Sequence, residues 1–159
     1  MIELQNLYKQ DYPIFIDPYL ASKSMQRLKG VDMNCGLQFT SHPGFSSYSS
    51  YSRYEHSVGV ACIIWYFTHD KKQTLAGLFH DISTRAFSHV IDFVRKDYLV
   101  QESTEDNTRQ FILQDTVIMN QLLCDGISVD EVSDYHVYPI ADNDSPRLSA
   151  DRLEYTLGN

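Results

Sequence analysis

Apolar residues recur at helical spacing along most of the chain. The clearest case begins after Ser52, an N-cap residue type followed three positions later by Glu55, which together form a capping-box signature and predict a helix from Arg53. His56, Val60, Ile63, Ile64 and Phe67 then fall at i, i+4, i+7, i+8 and i+11, the inward stripe of that helix. After the polar connection His69-Asp70-Lys71-Lys72, a second helix over Thr74 to Ile82 turns Leu75, Leu78, Phe79 and Ile82 inward. Gly77 within it permits a neighbouring helix to approach closely.

The flanking segments read less sharply. Met1 to Pro18 is an irregular lead-in, with Ile14-Phe15-Ile16 as a short strand. From Pro18 to Gly36, Tyr19, Leu20, Met25, Leu28 and Val31 give one helical pattern, and the serine-rich stretch Thr40 to Ser52, containing Pro43 and Gly44, is a loop. Ser83 to Ala86 is a turn, and Phe87 to Tyr98 resumes helical spacing. A loop or helix start over Gln101 to Thr108 leads to a helix over Thr108 to Leu123, with Phe111, Ile112, Val117, Ile118, Leu122 and Leu123 as its apolar set. Asp125-Gly126 ends that helix, Ser128 to Tyr135 is a short capped helix, Asn143 to Pro146 is a turn, and Leu148 to Leu157 is the last helix. Helices with local connections and no alternation with strands predict an all-α bundle.

At 159 residues and 43% hydrophobic, the chain suits one globular domain with a real core. Its formal net charge of -8 argues against a general nucleic-acid or membrane-surface binder, which would carry a basic face. Cys35, Cys62 and Cys124 are odd in number and widely spaced, so neither a disulfide framework nor a thiolate zinc site is indicated, and a reducing, cytoplasmic setting is expected. The longest apolar run, Val58 to Phe67, is too short to span a bilayer, and the residues after Met1 lack the pattern of a secretory signal.

Candidate chemistry lies in Leu78-Phe79-His80-Asp81-Ile82, where two divalent-metal ligand types stand side by side at the end of an apolar run. A metal needs further ligands, and His56 upstream and Asp151 downstream supply the right types on separate helices. Arg53 shares the face of His56 three residues away, His89 and Asp92 share another face, and Asp151 and Tyr155 lie four apart. Taken singly, each has an ordinary explanation: a capped or surface histidine, a solvated arginine, a tyrosine in the core. His42, His69 and His136 stay in that class, and the tyrosines at 48, 51 and 54 read as a hydrophobic loop anchor, with stacking on a base as the alternative.

Together, Arg53-Tyr54-Glu55-His56-Ser57-Val58-Gly59-Val60, Leu78-Phe79-His80-Asp81-Ile82, Ala86-Phe87-Ser88-His89 and Asp151-Arg152-Leu153-Glu154-Tyr155 resemble the HD-domain superfamily of metal-dependent phosphohydrolases, in its deoxynucleotide triphosphohydrolase-like branch. The resemblance runs from about Gln26 to the end. It implies a single HD domain over 1–159, shortened at its C-terminal helix, with one divalent ion (Mn, Fe, Mg, Ni or Zn) held between helices by His56, His80, Asp81 and Asp151. It further implies hydrolysis of a nucleotide or another small phosphate ester through a metal-activated water. Arg53 and Tyr155 would then face substrate, His89 would donate a proton or contact phosphate, and Asp92 would orient it. Arg85, beside the ligands, is a candidate phosphate contact.

Departures from the family pattern include two histidine positions. Many members read His-Asp-x-Gly-His-Gly-Pro-Phe-Ser-His, and Thr84 stands here at the second histidine. Gln101-Glu102 stands nearest the place of a later proton-donating histidine. Both changes spare the ligand set, so a catalytically weak HD domain that senses a nucleotide or serves as a regulatory unit is the alternative expectation. A small phosphorylated partner is expected in either case, no membrane partner, and a homo-oligomer is compatible with both.

Overall fold

The computed structural model describes residues 11–34, 41–45, 51–85, 107–144 and 146–158. Seven α-helices lie among them: α1 (Asp17–Leu20), α2 (Lys23–Arg27), α3 (Arg53–Thr68), α4 (Lys71–Phe79), α5 (Thr108–Gln114), α6 (Thr116–Asp125) and α7 (Ala150–Gly158). The expected all-α architecture is what forms. The described residues contain no strand, only an isolated antiparallel bridge between Asp32 and Ser52.

The long helix α3 is the axis of the molecule, with α4 against one side and α7 against another. Its start matches the capping box: Ser52 Oγ accepts from Glu55 N, while the Glu55 carboxylate accepts from Ser52 N at 2.8 Å. His69 closes the helix in the left-handed region at φ 50°, and Asp70 immediately caps α4 by accepting from Lys72 N and Gln73 N. A two-residue connection therefore returns α4 antiparallel along α3. Gly77 makes the close contact anticipated for it: a methyl group there would run into Ile64 and come within 3.2 Å of Val60 Cγ1.

The main core is formed by Ile16, Tyr19, Met25 and Leu28 from the N-terminal segment, Leu75, Leu78 and Phe79 from α4, and Ile112, Ile118 and Leu122 from α5 and α6. A smaller cluster joins Val60, Ile63 and Ile64 of α3 to Ala141 and Ala150, and so seats α7. No helix among the described residues is long and apolar enough to cross a membrane.

Several sequence expectations need correction. Ile14–Ile16 is a turn of 3-10 helix, because Ile16 N bonds back to Pro13 O at 2.9 Å and leaves no extended segment to pair. The pattern from Pro18 onward is broken into α1 and α2 by Ser22, whose extended backbone and Oγ cap the second helix at Met25 N. Asp115 divides the segment after Thr108 in the same way, at φ -92° and ψ 105°, with its carboxylate accepting from Val117 N and Ile118 N. The resulting rotation of α6 turns Val117 and Leu123 outward, and Phe67 at the end of α3 is also exposed. The second helix begins at Lys71, earlier than Thr74, because Asp70 supplies the cap, and it ends at Phe79, so His80 and Asp81 fall on the turn that follows. Ser128 to Tyr135 holds a 3-10 turn, Val129–Glu131, with the capping box its sequence suggests. Gly126, at φ 67°, terminates α6 as expected. The helix expected over Phe87 to Tyr98 lies outside the described residues.

Candidate metal centre

Three helix ends meet at one point. His56 sits in the first turn of α3, His80 and Asp81 directly after the last turn of α4, and Asp151 in the first turn of α7. His56 Nε2 lies 3.2 Å from His80 Nε2 and 2.9 Å from Asp151 Oδ1, and His80 Nε2 lies 3.8 Å from the same oxygen. One ligand atom from each of these residues falls within 4.8 Å of the others. Asp81, the fourth expected ligand, is not in that group of three; its Oδ2 lies beside the imidazoles, 3.4 Å from His80 Nε2 and 3.9 Å from His56 Nε2.

Each group is oriented by a further partner. His80 Nδ1–H donates to Gly77 O at 2.7 Å, which leaves Nε2 as the electron-pair nitrogen toward the cluster. His56 Nδ1–H donates to the carboxylate of Glu154, which turns Nε2 toward the cluster and Asp151; a cation there would replace the proton that Nε2 shares with Asp151. Asp81 accepts from Arg53 Nη1 at 2.7 Å on Oδ2 and from Thr84 Oγ1 at 2.9 Å on Oδ1. The turn that carries Asp81 is held from α2, where the Arg27 guanidinium donates to Ile82 O at 2.8 Å and Thr84 O at 2.7 Å. Asp151 is held through its neighbour: Arg152 donates to Asn143 O, Arg147 O and the Asp142 carboxylate, binding the preceding loop to the start of α7.

Burial and charge explain the protonation of the cluster. Burial alone would lower the His56 pKa, but hydrogen bonds to Asp151 and Glu154 and the Asp81 charge outweigh it and push the value up to about 9. Burial would raise Asp81, but the positive charges of His80, Arg53 and His56 and the Arg53 hydrogen bond hold it well below the usual carboxylate range. Asp151 is lowered against the effect of burial by its His56 hydrogen bond and by both imidazoles. Among these side chains, three carboxylates (Asp81, Asp151 and Glu154) face one guanidinium (Arg53), leaving two negative charges in excess when the imidazoles are neutral. A divalent cation balances that excess, and two converging Nε2 atoms with two carboxylates form a donor set suited to one. The residues fit a metal.

Two curated relatives share this chain's sequence over most of its length. Over 143 residues the chain is 32% identical to the uncharacterized protein YdhJ of Bacillus subtilis, covering 89% of this chain and 42% of that one. Over 145 residues it is 30% identical to a protein of Cordyceps militaris named metal-dependent phosphohydrolase cns2, covering 91% of this chain and 40% of that one. The chain thus spans about two fifths of the length of these curated relatives. It is similar to a metal-dependent phosphohydrolase. No family model matches it, and no solved structure does.

The remaining candidate residues fare differently. Arg53, expected to face substrate, is buried and engaged with Asp81. Tyr155 lies on α7 one turn beyond Asp151 and is about half exposed. Arg85 follows the Asp81 turn and is partly buried. His89, Asp92 and Gln101 lie outside the described residues. Sequence reasoning missed the roles of Glu154 and Thr84, and it weighed Tyr51 as a loop anchor or a base-stacking ring rather than as a partner of Glu154. The spacing held a clue, since Glu154 is three residues from Asp151 and shares its side of α7.

Proposed function

We propose that the chain is an HD-type domain that binds one divalent metal ion through His56, His80, Asp81 and Asp151 and hydrolyses a small phosphate ester, with a nucleotide as the favoured substrate class. The observation that carries this reading is the convergence of His56 Nε2, His80 Nε2 and Asp151 Oδ1, with both imidazoles tied at Nδ1 so that their Nε2 atoms face inward. The relative named metal-dependent phosphohydrolase supports it. A bound divalent cation supplies a nucleophile at neutral pH by acidifying water and neutralises charge on a phosphoryl oxygen. Arg53 holds Asp81 in place, and its guanidinium sets a positive charge beside the cluster for an anionic substrate. His89 is proposed as the proton donor to the leaving oxygen and Asp92 as the carboxylate that orients it. Tyr155 and Arg85 are proposed to contact substrate at the rim.

One feature favours a second reading, a metal-holding domain that senses a nucleotide without turnover. Thr84, at the position of a substrate-facing histidine in the resembling family, has its hydroxyl committed to Asp81. Metal analysis of the purified chain, followed by assays with dNTPs, nucleoside monophosphates and generic phosphomonoesters, separates the two. Stoichiometric metal with hydrolysis supports the first reading, and stoichiometric metal with binding but no turnover supports the second. A metal at a hundred times its Kd should add about 2.7 kcal/mol of stability. That corresponds to a Tm rise of about 5–10 °C, reversed by a chelator. A wild-type chain without metal, or a His56→Ala variant that retains it, overturns both.

A further inference from the structure

Glu154 is fully buried, although a carboxylate taken out of water is costly unless it is paired and hydrogen-bonded. Among the described residues His56 Nδ1–H donates to its Oε2, and the Tyr51 hydroxyl donates to its Oε1. Tyr51 is itself buried, and its ring meets that of His56 edge-on, with centroids 6.5 Å apart. We propose that Glu154 is a positioning residue for the metal ligand His56, with Tyr51 as its outer support: the carboxylate fixes the Nδ1–H tautomer, aims Nε2 at the cation, and raises the basicity of the ring. This inference rests on the metal reading above.

Two glycines show that the cleft is shaped for these side chains. A methyl group on Gly59 of α3 would come 2.6 Å from Glu154 Cγ and 2.8 Å from Cδ. A methyl group on Gly158 of α7 would come 2.8 Å from Tyr51 Cζ and 2.8 Å from its hydroxyl oxygen. Both helices are therefore bare where the Tyr51–Glu154–His56 chain runs between them. Glu154 is also one helical turn from Asp151, so α7 contributes both a candidate ligand and the group that orients a different ligand across the interface. The alternative is that Glu154 merely pins α7 to α3. The two roles separate by charge: glutamine can still accept from His56 Nδ1–H through its carbonyl and donate its amide to the Tyr51 oxygen, which keeps the pin but removes the negative charge from behind the ring.

The test measures Zn2+ affinity of the full chain by competition with a chromophoric chelator for wild type, Glu154→Gln, Glu154→Ala and Tyr51→Phe. Histidine 15N spectra of the zinc-loaded proteins are recorded alongside. Loss of such a partner weakens metal affinity by about 10–100-fold, the expectation for Glu154→Ala. Glu154→Gln should fall between that variant and the wild type while keeping more thermal stability than Glu154→Ala, and Tyr51→Phe should show the smaller change. The wild-type spectrum should show His56 bound through Nε2 with a strongly downfield Nδ1–H proton, which moves upfield in Glu154→Gln. Wild-type zinc affinity and an unchanged Nδ1–H signal in Glu154→Gln and Tyr51→Phe overturn the proposal while leaving the metal reading intact. A wild-type chain that binds no zinc overturns both. If Glu154→Ala fails to fold, the other two variants decide.

Discussion

Gly59→Ala tests the α3–α7 interface directly, because two opposed effects of known size meet at one atom. In a helix interior alanine is favoured over glycine by about 1 kcal/mol, so on propensity alone the variant would be more stable. The added methyl group, however, would sit 2.6 Å from Glu154 Cγ, and that side chain has no exposed surface through which to retreat. Making room means moving the carboxylate off both His56 Nδ1 and the Tyr51 hydroxyl. Each of these bonds involves a charged group and contributes about 1.5–3 kcal/mol. Loss of both, less the helix-propensity gain, predicts a net destabilisation of about 2–5 kcal/mol.

Urea unfolding of the metal-free chain measures the result, with a midpoint lower by about 1–2.5 M for a typical slope near 2 kcal/mol per molar. Gly30→Ala is the control, since a methyl group there meets nothing within 4 Å and its backbone is not in the left-handed region. It should be neutral or stabilising by about 0.4–1 kcal/mol. The double variant Gly59→Ala/Glu154→Ala makes the argument specific: with the obstructing side chain gone, the alanine at 59 should cost nothing further and restore about 1 kcal/mol relative to Glu154→Ala. Simple additivity of the two substitutions, or a Gly59→Ala variant as stable as the wild type, would refute the reasoning.

Other perturbations follow from the same contacts. Arg53→Ala leaves Asp81 buried without its guanidinium and should cost about 3 kcal/mol, the low end for a broken buried pair because both imidazoles also face that carboxylate; thermal unfolding beside Arg53→Lys, which should recover part, checks this. Tyr19→Phe removes a 2.6 Å hydrogen bond from a fully buried hydroxyl to Asp125 and should lower stability by about 1.5–3 kcal/mol in urea unfolding. Asp115→Ala removes the acceptor for Val117 N, Ile118 N and Ser24 N and should cost about 1–2 kcal/mol at neutral pH. Burial would raise the Asp115 pKa, but those donors hold it below its ordinary 3.8, so its contribution is fully present above that value and is lost as pH falls through the lower, folded-state value. The stability gap between Asp115→Ala and wild type should therefore narrow below about pH 4, as acid unfolding curves of both would show.

What the sequence made legible was the face of each long helix and the chemistry standing on it. Ser52 and Glu55 marked the start of α3, and Leu75, Leu78, Phe79 and Ile82 marked the inward side of α4 and its turn, because capping and periodicity are local and depend on residues a turn apart. The breaks at Ser22 and Asp115 were not legible. Each lies inside an apolar pattern that continues across it, and the deciding contact at Asp115 is partly tertiary, the 3.0 Å bond from Ser24 N. The outward turn of Leu123 and Val117 is a consequence of that break, since resetting the helix at Thr116 changes which residues share a face.

The site divides along the same line. Histidine and aspartate announce themselves as ligand types wherever they occur, so His56, His80, Asp81 and Asp151 could be named before any fold was known. The groups that orient them cannot be so named, because Glu154, Thr84, Tyr51 and the Gly77 carbonyl acquire their roles only from which helix ends the packing brings together. The clearest sign of this is Arg53. In sequence it stands on the face of His56, one turn from a ligand and available to a phosphate; in the fold it is buried against Asp81, so its first effect is to keep that carboxylate ionised and aimed. A substrate phosphate that engaged the same guanidinium would therefore act on Asp81 as well, which makes Arg53 the residue through which substrate binding and metal geometry would be coupled.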